Sequence, residues 1–125
     1  MTGYSVKVAE SSKELSAKER ITIKDTTDCI KLDEATQNGA AVIDVDYYAI
    51  LDIHNDKAED KDYQNIVIAD KDGNKYSTGS TSFITSFVDI YDEMRGEVDT
   101  QWAVKCYRVP SKNYKGKEFL TCSIV

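Results

Sequence analysis

The residues best suited to chemistry lie near the end of the chain, in Lys105-Cys-Tyr-Arg-Val-Pro-Ser-Lys-Asn-Tyr-Lys-Gly-Lys-Glu-Phe119. From Thr100 to Lys117 there are five cations (Lys105, Arg108, Lys112, Lys115 and Lys117) and no acid, a local charge of +5. The whole chain totals −6, so the remainder carries −11. Charge acts over about 8 Å at physiological salt, so a basic segment attracts phosphate even in an acidic protein. The segment alternates. Trp102, Val104 and Cys106 point to one side of a strand and Lys105 and Tyr107 to the other, while Phe119 and Thr121 oppose Leu120, Cys122 and Ile124. A hairpin built this way sets cations and aromatic rings on one outward surface. That mixture suits single-stranded nucleic acid: cations follow the phosphates, and rings stack on bases at roughly 1–3 kcal/mol each, whatever the base. The candidate contacts are Lys105, Tyr107, Arg108, Lys112, Tyr114, Lys115, Lys117 and Phe119. Tyr48 and Tyr76 join them as rings able to reach the same face, and Tyr63 is weighed with them. The competing account of the same lysines is a charged hairpin that keeps a sheet edge from aggregating.

Other chemistry finds little support. There is no Gly-rich phosphate loop, no His-Glu-x-x-His and no nucleophile elbow. His54 is the only histidine and falls near a strand end. Asp44 and Asp46 lie on the face of a strand turned toward solvent, where solvation explains them without catalysis. Asp70-x-Asp72-Gly-Asn74 resembles the start of a calcium loop, but the position that should hold a bidentate Glu is Thr81. A hairpin turn accounts for it better, with Gly73 supplying a positive φ. Cys29, Cys106 and Cys122 are too few and too scattered for a zinc site or disulfide framework. Cys106 and Cys122 sit in apolar alternations, as small buried hydrophobes of a reducing compartment would. The expectation is a protein with no catalytic residue, cofactor or metal.

The elements that position these residues are legible mainly after residue 40. At 125 residues with 41% hydrophobic content, the chain fits a single domain, 1–125. Residues 1–40 are weakly periodic. Ser16-x-x-Glu19 has the form of a capping box for a short helix, Ile21 and Ile23 permit a short strand, and Asn38-Gly39 signals a turn. Ala41, Ile43, Val45, Tyr47, Ala49, Leu51 and Ile53 then occupy every second position, predicting one long half-buried strand. Asn55–Asp62 is a charged loop, Tyr63–Ala69 a second strand, and Lys75–Ser77 a third. Phe83, Phe87, Ile90, Tyr91 and Met94 follow one helical face, with Ser80, Thr81 or Ser82 as cap and Gly96 beyond the end. Gln101–Val109 and Phe119–Val125 are the closing strands, joined by the turn Pro110–Gly116. The order predicts a mostly β fold: a five-stranded antiparallel OB-fold-like barrel over 40–125, with one helix between strands 3 and 4.

Three stretches also resemble a family. Asp72-Gly-Asn-Lys-Tyr-Ser, Ser82-Phe-Ile-Thr-Ser-Phe-Val-Asp-Ile and the closing hairpin from Val104 to Phe119 resemble the single-stranded DNA-binding proteins of small tailed phages, which coat strands displaced in protein-primed replication. The resemblance spans residues 63–125 and rests on pattern more than on a rigid motif. It implies an OB-like fold, cooperative coating, protection from nucleases and weakening of hairpins, with Tyr76, Lys105, Tyr107, Lys112, Lys115 and Phe119 as contacts. Residues 1–40 have no counterpart in it. The ending Thr121-Cys-Ser-Ile-Val differs from the acidic tail with which bacterial strand-binding proteins recruit partners.

The resulting expectation is a cytoplasmic protein, in the host cytoplasm if phage-encoded, that binds single-stranded DNA without sequence preference. Replication proteins are possible partners, a membrane is not, and the state is a monomer or weakly self-associating along DNA. A second expectation takes the acids as the functional surface. Asp44, Asp46, Asp52, Asp56, Glu59, Asp60 and Asp62, with a pI near 4.7, would suit a protein-binding inhibitor or adaptor that mimics DNA. Such a mimic has no need of a cationic, aromatic hairpin.

Overall fold

Residues 3–97, 99–112 and 116–125 are described by a computed structural model. The alternating stretch after residue 40 forms two strands, β3 (Ala41–Ile43) and β4 (Val45–Asn55), separated at Asp44. β4 is the spine of a five-stranded sheet. It pairs antiparallel with β1 (Tyr4–Ser11) on one side and with β5 (Asp62–Asp70) on the other. β5 pairs with β6 (Lys75–Thr78), and β6 with the two-residue parallel strand β2 (Ile30–Lys31). The second sheet has three strands in the order β3, β7 (Val104–Pro110), β8 (Glu118–Ile124), all antiparallel. The segment 41–55 therefore passes from one sheet to the other and joins them.

The fold is mostly β. The expected closed barrel is absent: among the described residues no pairing joins β6 to β8, and the outer edge of β6 is taken by β2.

A register shift between Val45 and Tyr47 explains the core. An extra residue on one strand reverses which side chains face inward beyond it. Ile43 and Val45 face the space between the sheets. After the shift Tyr48 and Ile50 take over that face and pack with Ile66, Ile68, Phe83, Phe87, Val104, Cys106, Leu120 and Cys122. Ala49, Leu51 and Ile53 then face the opposite side and form a second core with Leu15, Ile23 and Val67. The sheet is thus covered on both faces.

The first face is closed by α3 (Thr81–Met94). Ser80 caps it by accepting from the Phe83 N–H, and Phe83 and Phe87 are fully buried. The second face is closed by the N-terminal segment. Here α1 (Ala17–Lys24) begins with the capping box read from the sequence, Ser16 and Glu19 each accepting the other's backbone N–H. Ile21 and Ile23, expected on a strand, lie in this helix. Two helical positions are about 200° apart, so Ile23 is buried and Ile21 exposed. The buried Lys75 ammonium fastens the end of α1, donating to the carbonyls of Thr22 (2.8 Å) and Asp25 (2.6 Å) and pairing with Asp28 at 2.8 Å. A short α2 (Leu32–Ala35) seats Leu32 in the first core and bridges the sheets: Thr78 donates to Asp33, while Arg108 donates to the Asp33 carbonyl and Thr36.

Candidate nucleic-acid interface

Directly opposed residues of an antiparallel pair share a face, so the register of the second sheet fixes its two surfaces. One carries the rows Val42–Lys105–Ser123, Tyr107–Thr121 and Val109–Phe119. The other carries Ala41–Cys106–Cys122, Ile43–Val104–Ile124 and Arg108–Leu120, and most of these side chains are in the core. The outward surface thus combines a cation, two aromatic rings and two valines. The Lys105 ammonium lies 5.7 Å from the centre of the Tyr107 ring, and the Tyr107 and Ser123 hydroxyls share a 2.6 Å hydrogen bond. That bond holds the phenol while leaving the ring partly exposed. Phe119 is 40% exposed, unusual for a phenylalanine with a core available. At the hairpin end Lys112 and Lys117 are both exposed, and the Ser111 N–H donates to the Lys117 carbonyl at 2.8 Å, closing the base of the turn.

Of the ten residues picked out in the sequence, Lys105, Tyr107, Lys112, Lys117 and Phe119 are brought to this surface and its tip. Tyr114 and Lys115 lie outside the described residues. Tyr48 does not belong with them. The register shift in β4 turns it inward, where it is 2% exposed and packs edge-on against Phe87 and Tyr91 at 5.3 and 5.0 Å. Burial pushes its phenol pKa up. Arg108 is also displaced: it stands on the inner face, and its guanidinium is engaged by α2. Tyr76 is half-buried at the rim of the first core, its hydroxyl 3.4 Å from Asp70, and burial followed by that carboxylate raises its pKa. Tyr63 borders the second core. Val42 and Val109 were missed. Val109 continues the alternation of Lys105 and Tyr107 and was findable on that ground, whereas Val42 reaches the surface only through the pairing of β3 with β7.

Beside this surface a groove of about 500 Å³ runs between the first turn of α3 and the hairpin, lined by Ser82, Val109, Pro110, Ser111, Lys112 and Phe119. Ser82 donates to the Leu120 carbonyl at 2.9 Å and fixes the helix against β8.

Further polar groups lie away from this surface. Asp70 accepts from the N–H groups of Asp72 (2.9 Å) and Asn74 (2.8 Å), and Gly73 has φ +90°, so the calcium-like stretch is a hairpin turn. His54 sits with Nδ1 2.7 Å from Asp62 and Nε2 2.7 Å from Asp56, which raises its pKa. Both contacts are hydrogen bonds only when the ring is protonated. The Cys106 and Cys122 thiols face each other across β7 and β8, and burial pushes both up to about 12. Among the described residues no group of three or more His, Cys, Asp or Glu could hold a metal ion, and no helix is long and apolar enough to cross a membrane. Comparison with family models, curated proteins and solved structures returns no match.

Proposed function

We propose that this protein binds single-stranded DNA without sequence preference, as a coating protein of phage-type replication. The observation that carries the proposal is the register of β7 and β8, which groups Lys105, Tyr107 and Phe119 on one exposed face with Lys112 and Lys117 at its tip. In a chain of net charge −6, a face of cations and rings lined by no carboxylate among these residues is selective for a polyanion with exposed bases. The succession β3/β4, β5, β6, α3, β7, β8 supports an OB-like architecture in which the strand 41–55 contacts both sheets. The resemblance of residues 63–125 to phage strand-binding proteins points the same way.

Fluorescence titration of Trp102 and the tyrosines with dT oligomers at two salt concentrations tests the proposal. Expected is quenching that grows with oligomer length, weakens with salt and is small for duplex. Absence of binding at low salt would overturn it and direct attention to a protein partner for the acidic surface.

A further inference from the structure

We infer that the groove between α3 and the hairpin is a subsite for a single unstacked base, with Phe119 as its platform. The inference rests on the proposed strand-binding function and adds to it a definite place for one nucleotide. The groove's volume of about 500 Å³ lies within the usual range of small-ligand sites, roughly 300–1,000 Å³, and is ample for one base. Its lining suits that occupant. Phe119, Val109 and Pro110 give apolar walls, Ser111 adds a polar lining residue, Ser82 is committed to the Leu120 carbonyl, and Lys112 supplies the one charge among the described lining residues. A base offers two apolar faces and a polar edge, and its phosphate lies outside the stack, where a lysine at the mouth meets it. An apolar peptide side chain would use the walls and leave Lys112 without a counterion, so charge complementarity favours the nucleotide.

The placement explains why Phe119 is left in solvent. β8 alternates, and its inward residues Leu120 and Cys122 already fill the core, so Phe119 is turned outward against Val109. The pair forms one wall that continues the Tyr107 row. Tyr107 and Phe119 are diagonal neighbours on the two strands, about 7–8 Å apart across the pair, close enough for consecutive nucleotides to meet both rings. The strand would then run along the hairpin toward its tip, with Lys105 at one end and Lys112 and Lys117 at the other.

The chain contains three phenylalanines, and Phe83 and Phe87 are fully buried, so the full-length protein labelled with fluorophenylalanine has one solvent-facing reporter. Phe119→Leu assigns its ¹⁹F line. Titration with a dT oligomer should move that line and leave the two buried lines nearly still, and a sugar-phosphate oligomer without bases should not move it. Phe119→Leu should weaken dT binding by about 5- to 150-fold, the range expected for loss of one stacked base. Ser111→Leu, which takes up groove space without adding a ring on which a base could stack, should also weaken it, with thermal melts confirming that both variants fold. If the wild-type protein binds dT but the Phe119 line stays fixed at saturation, or moves equally with the baseless oligomer, the subsite is overturned and the strand-binding function stands. If the wild-type protein does not bind dT, both fall together.

Discussion

Replacing Lys105, Lys112 and Lys117 together by Gln tests the interface through its salt dependence. All three residues are exposed, and the Lys105 ammonium lies over the exposed-face ring of Tyr107, so their loss leaves the core untouched. Each phosphate neutralised on a single strand steepens the plot of log affinity against log salt by about 0.7, so three lost contacts should flatten it by about 2. At roughly 0.1 M salt that difference amounts to about a 100-fold weaker affinity, and raising salt about fourfold should weaken the variant some 20-fold less than the wild type. The assay is fluorescence titration with a dT oligomer over a salt series, with melting temperature as the control for folding. Arg108→Gln provides the contrast. Its guanidinium holds α2 to β7, so it should lower stability and leave the slope unchanged. A triple variant with the wild-type slope would remove the hairpin from the binding surface. A slope lowered equally by Arg108→Gln would show that the two faces of the second sheet are not distinguished as described.

Tyr48→Phe should leave dT affinity and quenching per bound oligomer within about twofold of wild type, while Tyr48→Ala should destabilise by roughly 3–5 kcal/mol in denaturant unfolding through loss of the ring between Phe87 and Tyr91. Lys75→Met strips a charged donor from two carbonyls at the end of α1, while the largely exposed Asp28 is rehydrated; the expected loss is about 2–4 kcal/mol, and a change under about 0.5 would mean that the ammonium does not hold the N-terminal segment. His54 is raised above its ordinary value by Asp62 and then Asp56, so its contribution is fully present below a pH of about 6.5 and is lost as pH rises through the higher folded value. His54→Asn should therefore flatten the fall in melting temperature on that alkaline side, and an unchanged profile would show that the two carboxylates do not hold the ring.

The strands after residue 40 and the long helix were legible because their apolar residues repeat at the period of the element. The hairpin's outward set was legible for the same reason: Lys105, Tyr107 and Phe119 alternate against Cys106, Leu120 and Cys122. Tyr48 was misplaced because period two says which residues share a face but carries no record of a shift in register. Val45 and Tyr48 are three apart yet line the same core, and only the pairing with β5 reveals it. Arg108 was misplaced for another reason, since a cation next to a basic turn gives no sign that α2 waits on the other side. Residues 4–11 form a strand whose partner residues are about 40 to 50 positions away, and α1 buries only Ile23 among its own residues. Both depend on contacts too distant, or too few, to leave a local pattern.

The pairing of β1 with β4 also sets an order of events. Tyr4 meets Asn55 and Ser11 meets Ala49, so residues 4–11 are made well before their partner strand and wait for it unpaired. When β4 emerges, β1 and α1 are therefore already present to cover Ala49, Leu51, Ile53 and an edge, on a strand eleven residues long, that would otherwise be open to any other extended chain. The N-terminal segment is thus the chain's own guard against aggregation. Removing it would expose β4, the longest strand among the described residues, on one edge and one face at once.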